Sequence, residues 1–159
     1  MAHTIYVDGS PKGRVAVVVP GNDPIIKSSV IGIDSNHTNN EAEYLAALES
    51  LKYIDAYIHS TSDSTPWTIY SDSKLVVMQA ASIWKCRAEN LQPYLDQIWY
   101  YLDSLPVTVN FKWVSRDNNP AGVLLEDVLS FERQVDREIN DEAETGKVRE
   151  YAKKLLREL

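Results

Sequence analysis

The chain has 159 residues, 44% hydrophobic and 25% charged, which suits one soluble domain with its own hydrophobic core and no membrane span, since no apolar run approaches the ~20 residues needed. Its single thiol, Cys86, excludes an internal disulfide and fits a reducing compartment. The formal charge, 16 − 23 = −7, argues against a broadly basic nucleic-acid surface, but a site for divalent cations must itself concentrate carboxylates, and the ions then reverse the local field.

The first ten residues, MAHTIYVDGS, enter a strand pattern at once, without the charged-then-apolar layout of a signal peptide, so a cytoplasmic protein is expected. Residues 4–8 form a first strand ending at Gly9. Pro11-Lys12-Gly13 turns the chain into a second strand over 14–19, and Gly21–Pro24 turns it into a third over 25–33. The period then changes. Thr38-Asn39-Asn40 offers capping side chains, and Leu45, Leu48 and Leu51 recur at helical spacing among helix-forming alanines, giving a helix from about 40 to 54. Residues 67–72 read as a fourth strand and 74–81 as a short helix. Residues 88–105 read as a longer helix stopped by Pro106. Val107, Val109, Phe111 and Trp113 alternate with polar residues in a half-exposed fifth strand. Pro120 stands at a favourable helix start, and the helical pattern runs to about Ala143. Thr145-Gly146 breaks it before a last amphipathic helix over 147–159.

The order β-β-β-α-β-α-α-β-α is that of an α/β domain with an antiparallel start and later crossover helices. The simplest division is one domain over 1–143 and a helical extension over 144–159.

Three acids stand where regular elements meet loops or helix starts. Asp8 ends the first strand, Asp72 ends the fourth, and Glu43 lies in the first turn of the first helix. If the first and fourth strands are neighbours, Asp8 and Asp72 meet at one edge, where ligands of α/β sheets commonly sit, and a helix packed across them brings Glu43 to the same point. Converging carboxylates repel, so they need protons or metal ions. Oxygen ligands without His or Cys suit Mg²⁺ or Mn²⁺ rather than zinc. Taken singly, Asp8 reads first as a turn residue and Glu43 as a solvated helix residue.

Four segments, in order, resemble the type 1 ribonuclease H family: IYVDGS at 5–10, TNNEAEYLAALESL at 38–51, IYSDSKLVV at 69–77 and WVSRDNNPAG at 113–122. The resemblance covers residues 4 to about 130. It implies a ribonuclease H-like five-stranded mixed sheet flanked by helices. It also implies two-metal-ion hydrolysis, with Mg²⁺ or Mn²⁺, of the RNA strand of an RNA–DNA hybrid. By that resemblance Asp8, Glu43 and Asp72 are the catalytic metal ligands. Asn40 matches a contact to the hybrid's minor groove, where 2′-hydroxyls are displayed, and Thr38 matches a position near a DNA phosphate. Gly9, Ser10, Asn39 and Ser73 border the same substrate. Thr-Asn-Asn before a helix is also good capping chemistry. Trp84, Lys85 and Arg87 resemble the family's substrate-handling region, an aromatic face beside phosphate-binding cations. Trp84 reads equally as a core residue.

The sequence departs from the family where a fourth acid is expected, because that position holds Gly122. Glu126, one turn on, is the first candidate stand-in ligand, with Asp127 and Asp117 behind it. The loop also lacks the family's His, and neither His37 nor His59 replaces it by position. Reduced activity is therefore expected. The alternatives to an enzyme are a ribonuclease H fold that binds hybrid and cuts poorly, or an interaction module. An aspartate at 122 is expected to stabilise the helix start as well as add a ligand. In the tail, residues 131–146 carry 2 − 6 = −4 and residues 147–159 carry 5 − 2 = +3. The last helix reads first as packing on the domain, with a monomer expected, and otherwise as a dimer contact or a nucleic-acid contact.

Overall fold

A computed structural model describes residues 2–28, 38–143 and 147–158. Strands β1 (His3–Gly9), β2 (Arg14–Val18) and β3 (Ile25–Ser28) are followed by helix α1 (Asn39–Thr61), strand β4 (Trp67–Ser71), and helices α2 (Lys74–Ala80) and α3 (Gln92–Ser104). Strand β5 (Val109–Trp113), a short 3-10 turn (Arg116–Asn118), and helices α4 (Pro120–Ala143) and α5 (Lys147–Glu158) complete the chain. The sheet runs β3-β2-β1-β4-β5. The β3-β2-β1 half is an antiparallel meander, whereas β1, β4 and β5 are parallel. The expected α/β class, the mixed sheet and the element order all hold. The remainder of the expected third strand, 29–33, lies outside the described residues, as does His37.

The chain divides into two compact units, Met1–Leu125 and Glu126–Leu159. In the first, alternation along the strands turns Ile5 and Val7 of β1, Val15 and Val17 of β2, and Trp67 and Ile69 of β4 to the side that α1 covers. Helix α1 answers with Tyr44, Leu48, Leu51, Ile54 and Ile58, a stripe at three- and four-residue spacing. That stripe explains why α1 runs seven residues past the expected end: Ile58 continues the buried face through a stretch of weak helix formers. Ser62, in the left-handed conformation at φ 56°, stops the helix by donating its backbone N–H to the Ile58 carbonyl. Helix α3 starts at Gln92 rather than 88, with Pro93 in its first turn and Leu95 and Ile98 buried.

In the second unit, Phe131 and Ile139 of α4 and Tyr151, Leu155 and Leu156 of α5 are exposed. No helix among the described residues is long and apolar enough to cross a membrane.

One backbone approach positions everything described below. A Cβ placed on Gly9 would lie 2.1 Å from the carbonyl oxygen of Ala42, closer than any real side chain sits. Glycine here is a spatial requirement, because the end of β1 touches the first turn of α1. Gly9→Ala must push the two apart. We expect it to lower stability by at least the ~1–3 kcal/mol typical of overpacking, read as a fall in Tm by circular dichroism. An unchanged Tm would contradict this packing.

Candidate metal centre

Parallel pairing of β1 with β4 matches Val7 to Ser71, so the next residue on each strand, Asp8 and Asp72, leaves the sheet at the same edge. Glu43 arrives from α1, whose start is fixed by a capping box. The Thr38 hydroxyl accepts from Glu41 N (3.1 Å), and Glu41 Oε1 accepts from Thr38 N (3.3 Å). One oxygen from each of Asp8, Glu43 and Asp72 lies within 4.8 Å of the others, all three residues being half-buried.

Held this close, the carboxylates cannot all stay ionised unaided. Burial is the largest influence on Glu43, and the Asp8 charge adds to it; together they push its carboxyl up to about 10. Burial likewise lifts Asp8 to about 6, helped by Asp72 and opposed by a hydrogen bond with Glu43. The Arg116 guanidinium on the 3-10 turn lowers both without offsetting the burial. Glu43 Oε2 is sealed from solvent and has no hydrogen-bond partner among the described residues. A buried oxygen without a partner, beside two more carboxylates and no softer donor, fits a hard divalent cation.

Asp72 is held from two sides. Its backbone carbonyl accepts from Trp113 Nε1 (3.0 Å), and its Oδ2 accepts from Asn119 Nδ2 (3.3 Å). Trp113 is half exposed, with Lys74 Nζ 4.8 Å above its ring. Arg116, Trp113 and Asn119 were not singled out by sequence reasoning. A basic residue in the loop after the last strand was the one visible signal.

Gly122 faces this site. A Cβ there would stand 3.3 Å from Asp8 Oδ2 and 3.6 Å from Asp72 Oδ2. That placement fits the expected ligand position, but it sets a cost without metal against the expected gain at the helix start. Its side chain would enter an already repelling cluster, so without metal it would cost stability. Among the described residues the acidic group comprises Asp8, Glu43 and Asp72 and does not include Glu126, Asp127 or Asp117. Glu126 belongs to the second unit, where its Oε1 accepts from Arg133 Nη2 (3.0 Å).

The other sequence-derived residues are placed as follows. Ser10 is buried in the β1–β2 turn, its hydroxyl accepting from Lys12 N (3.3 Å). Asn39 and Asn40 are exposed at the start of α1. Ser73 caps α2, its hydroxyl accepting from Val76 N. Trp84 is 45% exposed and is no core residue; Lys85 and Arg87 are exposed beside it. That segment is tied to the core because Gln79 Nε2 donates to the Lys85 carbonyl (3.2 Å), while Gln79 Oε1 accepts from the Tyr44 hydroxyl. Cys86 is half-buried.

The family model described as RNase H matches residues 1–122. Among curated proteins, uncharacterized protein YpeP of Bacillus subtilis (strain 168) is 34% identical over 94 residues, 58% of this chain and 40% of that protein, so the chain spans well under half of that relative's length. Among solved structures, LC11-RNase H1 in complex with an RNA/DNA hybrid is 22% identical at TM-score 0.59, covering 74% of this chain and 88% of that one. The N-terminal RNase H domain of Rv2228c from Mycobacterium tuberculosis is 23% identical at TM-score 0.59, covering 85% and 99%. RNase H1 of Halobacterium salinarum is 20% identical at TM-score 0.58, covering 76% and 91%. At these identities the structures show the shared fold.

The raised carboxyls give a pH signature. A carboxyl whose pKa is higher folded than unfolded adds stability below its unfolded value and loses it as pH rises through its folded value. Metal-free protein should therefore lose stability from about pH 4 upward, first through Asp8 near 6 and on toward 10 through Glu43. Mn²⁺ should restore more stability at pH 8 than at pH 5. At pH 7 its binding should release about one proton, chiefly from Glu43, measured by calorimetry in buffers of different ionisation enthalpy. Binding without proton release would contradict this electrostatic account.

Proposed function

The chain belongs to the ribonuclease H family, and from that premise we propose that it hydrolyses the RNA strand of RNA–DNA hybrids. The observation that carries the reading is the convergence of Asp8, Glu43 and Asp72 within 4.8 Å, with one sealed and unpartnered oxygen among them. Asp8, Glu43 and Asp72 would hold two Mg²⁺ or Mn²⁺ ions, which when bound supply a deprotonated water and charge neutralisation at the phosphate. The chain's own residues do the rest. Glu43 gives up its proton as the site fills, and Trp113 and Asn119 keep Asp72 aimed inward. Arg116 contributes fixed positive charge at the same edge, suited to a phosphodiester.

Substrate selection is assigned to the surface around the start of α1. Asn39 and Asn40 present exposed amides there, suited to the minor-groove edge where RNA displays 2′-hydroxyls. The Thr38 hydroxyl already serves the capping box, so its contribution to substrate is to hold that surface in place. Exposed Trp84, Lys85 and Arg87 form an aromatic and cationic platform for the backbone of a bound strand.

A labelled RNA–DNA hybrid incubated with Mg²⁺ or Mn²⁺ tests the reading; cleavage of its RNA, with duplex DNA left intact, is the expected result. Asp8→Asn and Asp72→Asn should each reduce cleavage by more than about 100-fold, beyond the range for outer-shell changes, and should raise the Tm of metal-free protein by relieving repulsion. Folded wild type that leaves hybrid uncut across a range of both metals would sink the assignment. Gly122 stands where the resemblance to the family implies an acid, so we infer weaker metal binding and slower cleavage than an acid there would allow. Gly122→Asp should lower the Tm without metal, tighten Mn²⁺ binding and speed cleavage. Unchanged affinity and rate would show that position 122 does not serve the ions.

A further inference from the structure

We propose that Asn119 is a positioning residue that sets the carboxylate geometry of the metal centre, a role that rests on the ribonuclease H reading above. Asn119 is fully buried. Its Nδ2 donates to the Val7 carbonyl (3.0 Å) and to Asp72 Oδ2 (3.3 Å), and its Oδ1 accepts from Ala121 N (3.2 Å). Both amide hydrogens and the amide oxygen are therefore occupied, as burial of such a group demands.

The three partners lie on the three segments that end at the site. Val7 immediately precedes Asp8 on β1, Asp72 follows β4, and Ala121 immediately precedes Gly122 on α4. The two N–H bonds of one planar amide diverge at a fixed angle. Holding one on the β1 backbone and the other on the Asp72 carboxylate fixes Asp72 relative to the strand that carries Asp8. The same group anchors the start of α4, and with it the approach of Gly122 to both acids.

The chemistry of the donor matters as much as its place. A lysine or arginine here would also orient Asp72, but it would neutralise the charge that a cation needs. An amide orients the carboxylate through a dipole and leaves its full charge for the metal. The neighbouring Asn118 supplies the contrast: it is exposed, and its Nδ2 donates to Ser115 Oγ (2.7 Å) within the local turn.

Asn119→Ser tests the role. It keeps an oxygen able to accept from Ala121 N and replaces the two amide N–H donors with one shorter hydroxyl, which cannot hold the Val7 carbonyl and Asp72 together. Calorimetric titration with Mn²⁺, after folding is verified by circular dichroism, should show affinity reduced about 10-fold, the scale seen when outer-shell partners of metal ligands are lost. Hybrid cleavage should lose kcat to a similar degree with KM little changed, while Asn118→Ala should match wild type in both. A residue with only a structural role would lower Tm and leave Mn²⁺ affinity unchanged; that result overturns the proposal. Should Asn119→Ser fail to fold, Asn119→Asp keeps the shape and the acceptor but turns an oxygen toward Asp72. Its kcat should fall despite the added negative charge, and wild-type kcat there overturns the proposal equally. A wild type that binds no Mn²⁺ and cuts no hybrid would sink both this role and the ribonuclease reading. A competent wild type beside an unaffected Asn119→Ser sinks this role alone.

Discussion

The site depends first on a contact without side chains, between the end of β1 and the first turn of α1. Gly9 lies so close to the Ala42 carbonyl that a single methyl group would meet it at 2.1 Å. Asp8 precedes that glycine and Glu43 follows that alanine, so the same approach places two carboxylates side by side. Parallel pairing of β1 with β4 then brings Asp72 to the same edge. The cost of converging three acids is carried by a core in which Ile5, Val7, Leu51, Ile54, Ile69 and Leu95 are almost wholly buried, each contributing on the order of 1.5–3 kcal/mol by burial.

Electrostatics and packing thus oppose each other at this edge. Burial and mutual repulsion favour protonated Asp8 and Glu43, and the nearby Arg116 charge is insufficient to reverse that. The unpartnered Glu43 oxygen marks where the protein's own hydrogen bonding stops. A fold selected for stability alone would have paired that oxygen or replaced the acid. A divalent cation resolves both features at once, since it supplies positive charge and takes carboxylate oxygens as ligands.

Much of this was legible in the sequence because the informative residues sit at changes of period. Asp8 and Asp72 each close a β-rich run, and Glu43 follows a capping segment, so topology alone was needed to bring them together. What was not legible depended on direction rather than order. Asn118 and Asn119 are identical neighbours, and only the turn into α4 decides that one is exposed and the other wholly buried against Asp72. Trp84 has the composition of a core residue, but the chain between α2 and α3 carries it outward. The length of α1 was underestimated because Tyr53, Tyr57 and His59 are weak helix formers, and tertiary burial of Ile54 and Ile58 overrides that preference. Glu126 follows Gly122 by one helical turn, yet its carboxylate is engaged by Arg133.

Anomalous scattering from Mn²⁺ diffused into crystals of the protein tests the central claim most directly. The account predicts anomalous density within coordination distance of Asp8, Glu43 and Asp72 together, with Glu43 Oε2 among the ligands. Mn²⁺ bound elsewhere, with no density at these three carboxylates at saturating concentration, would contradict it.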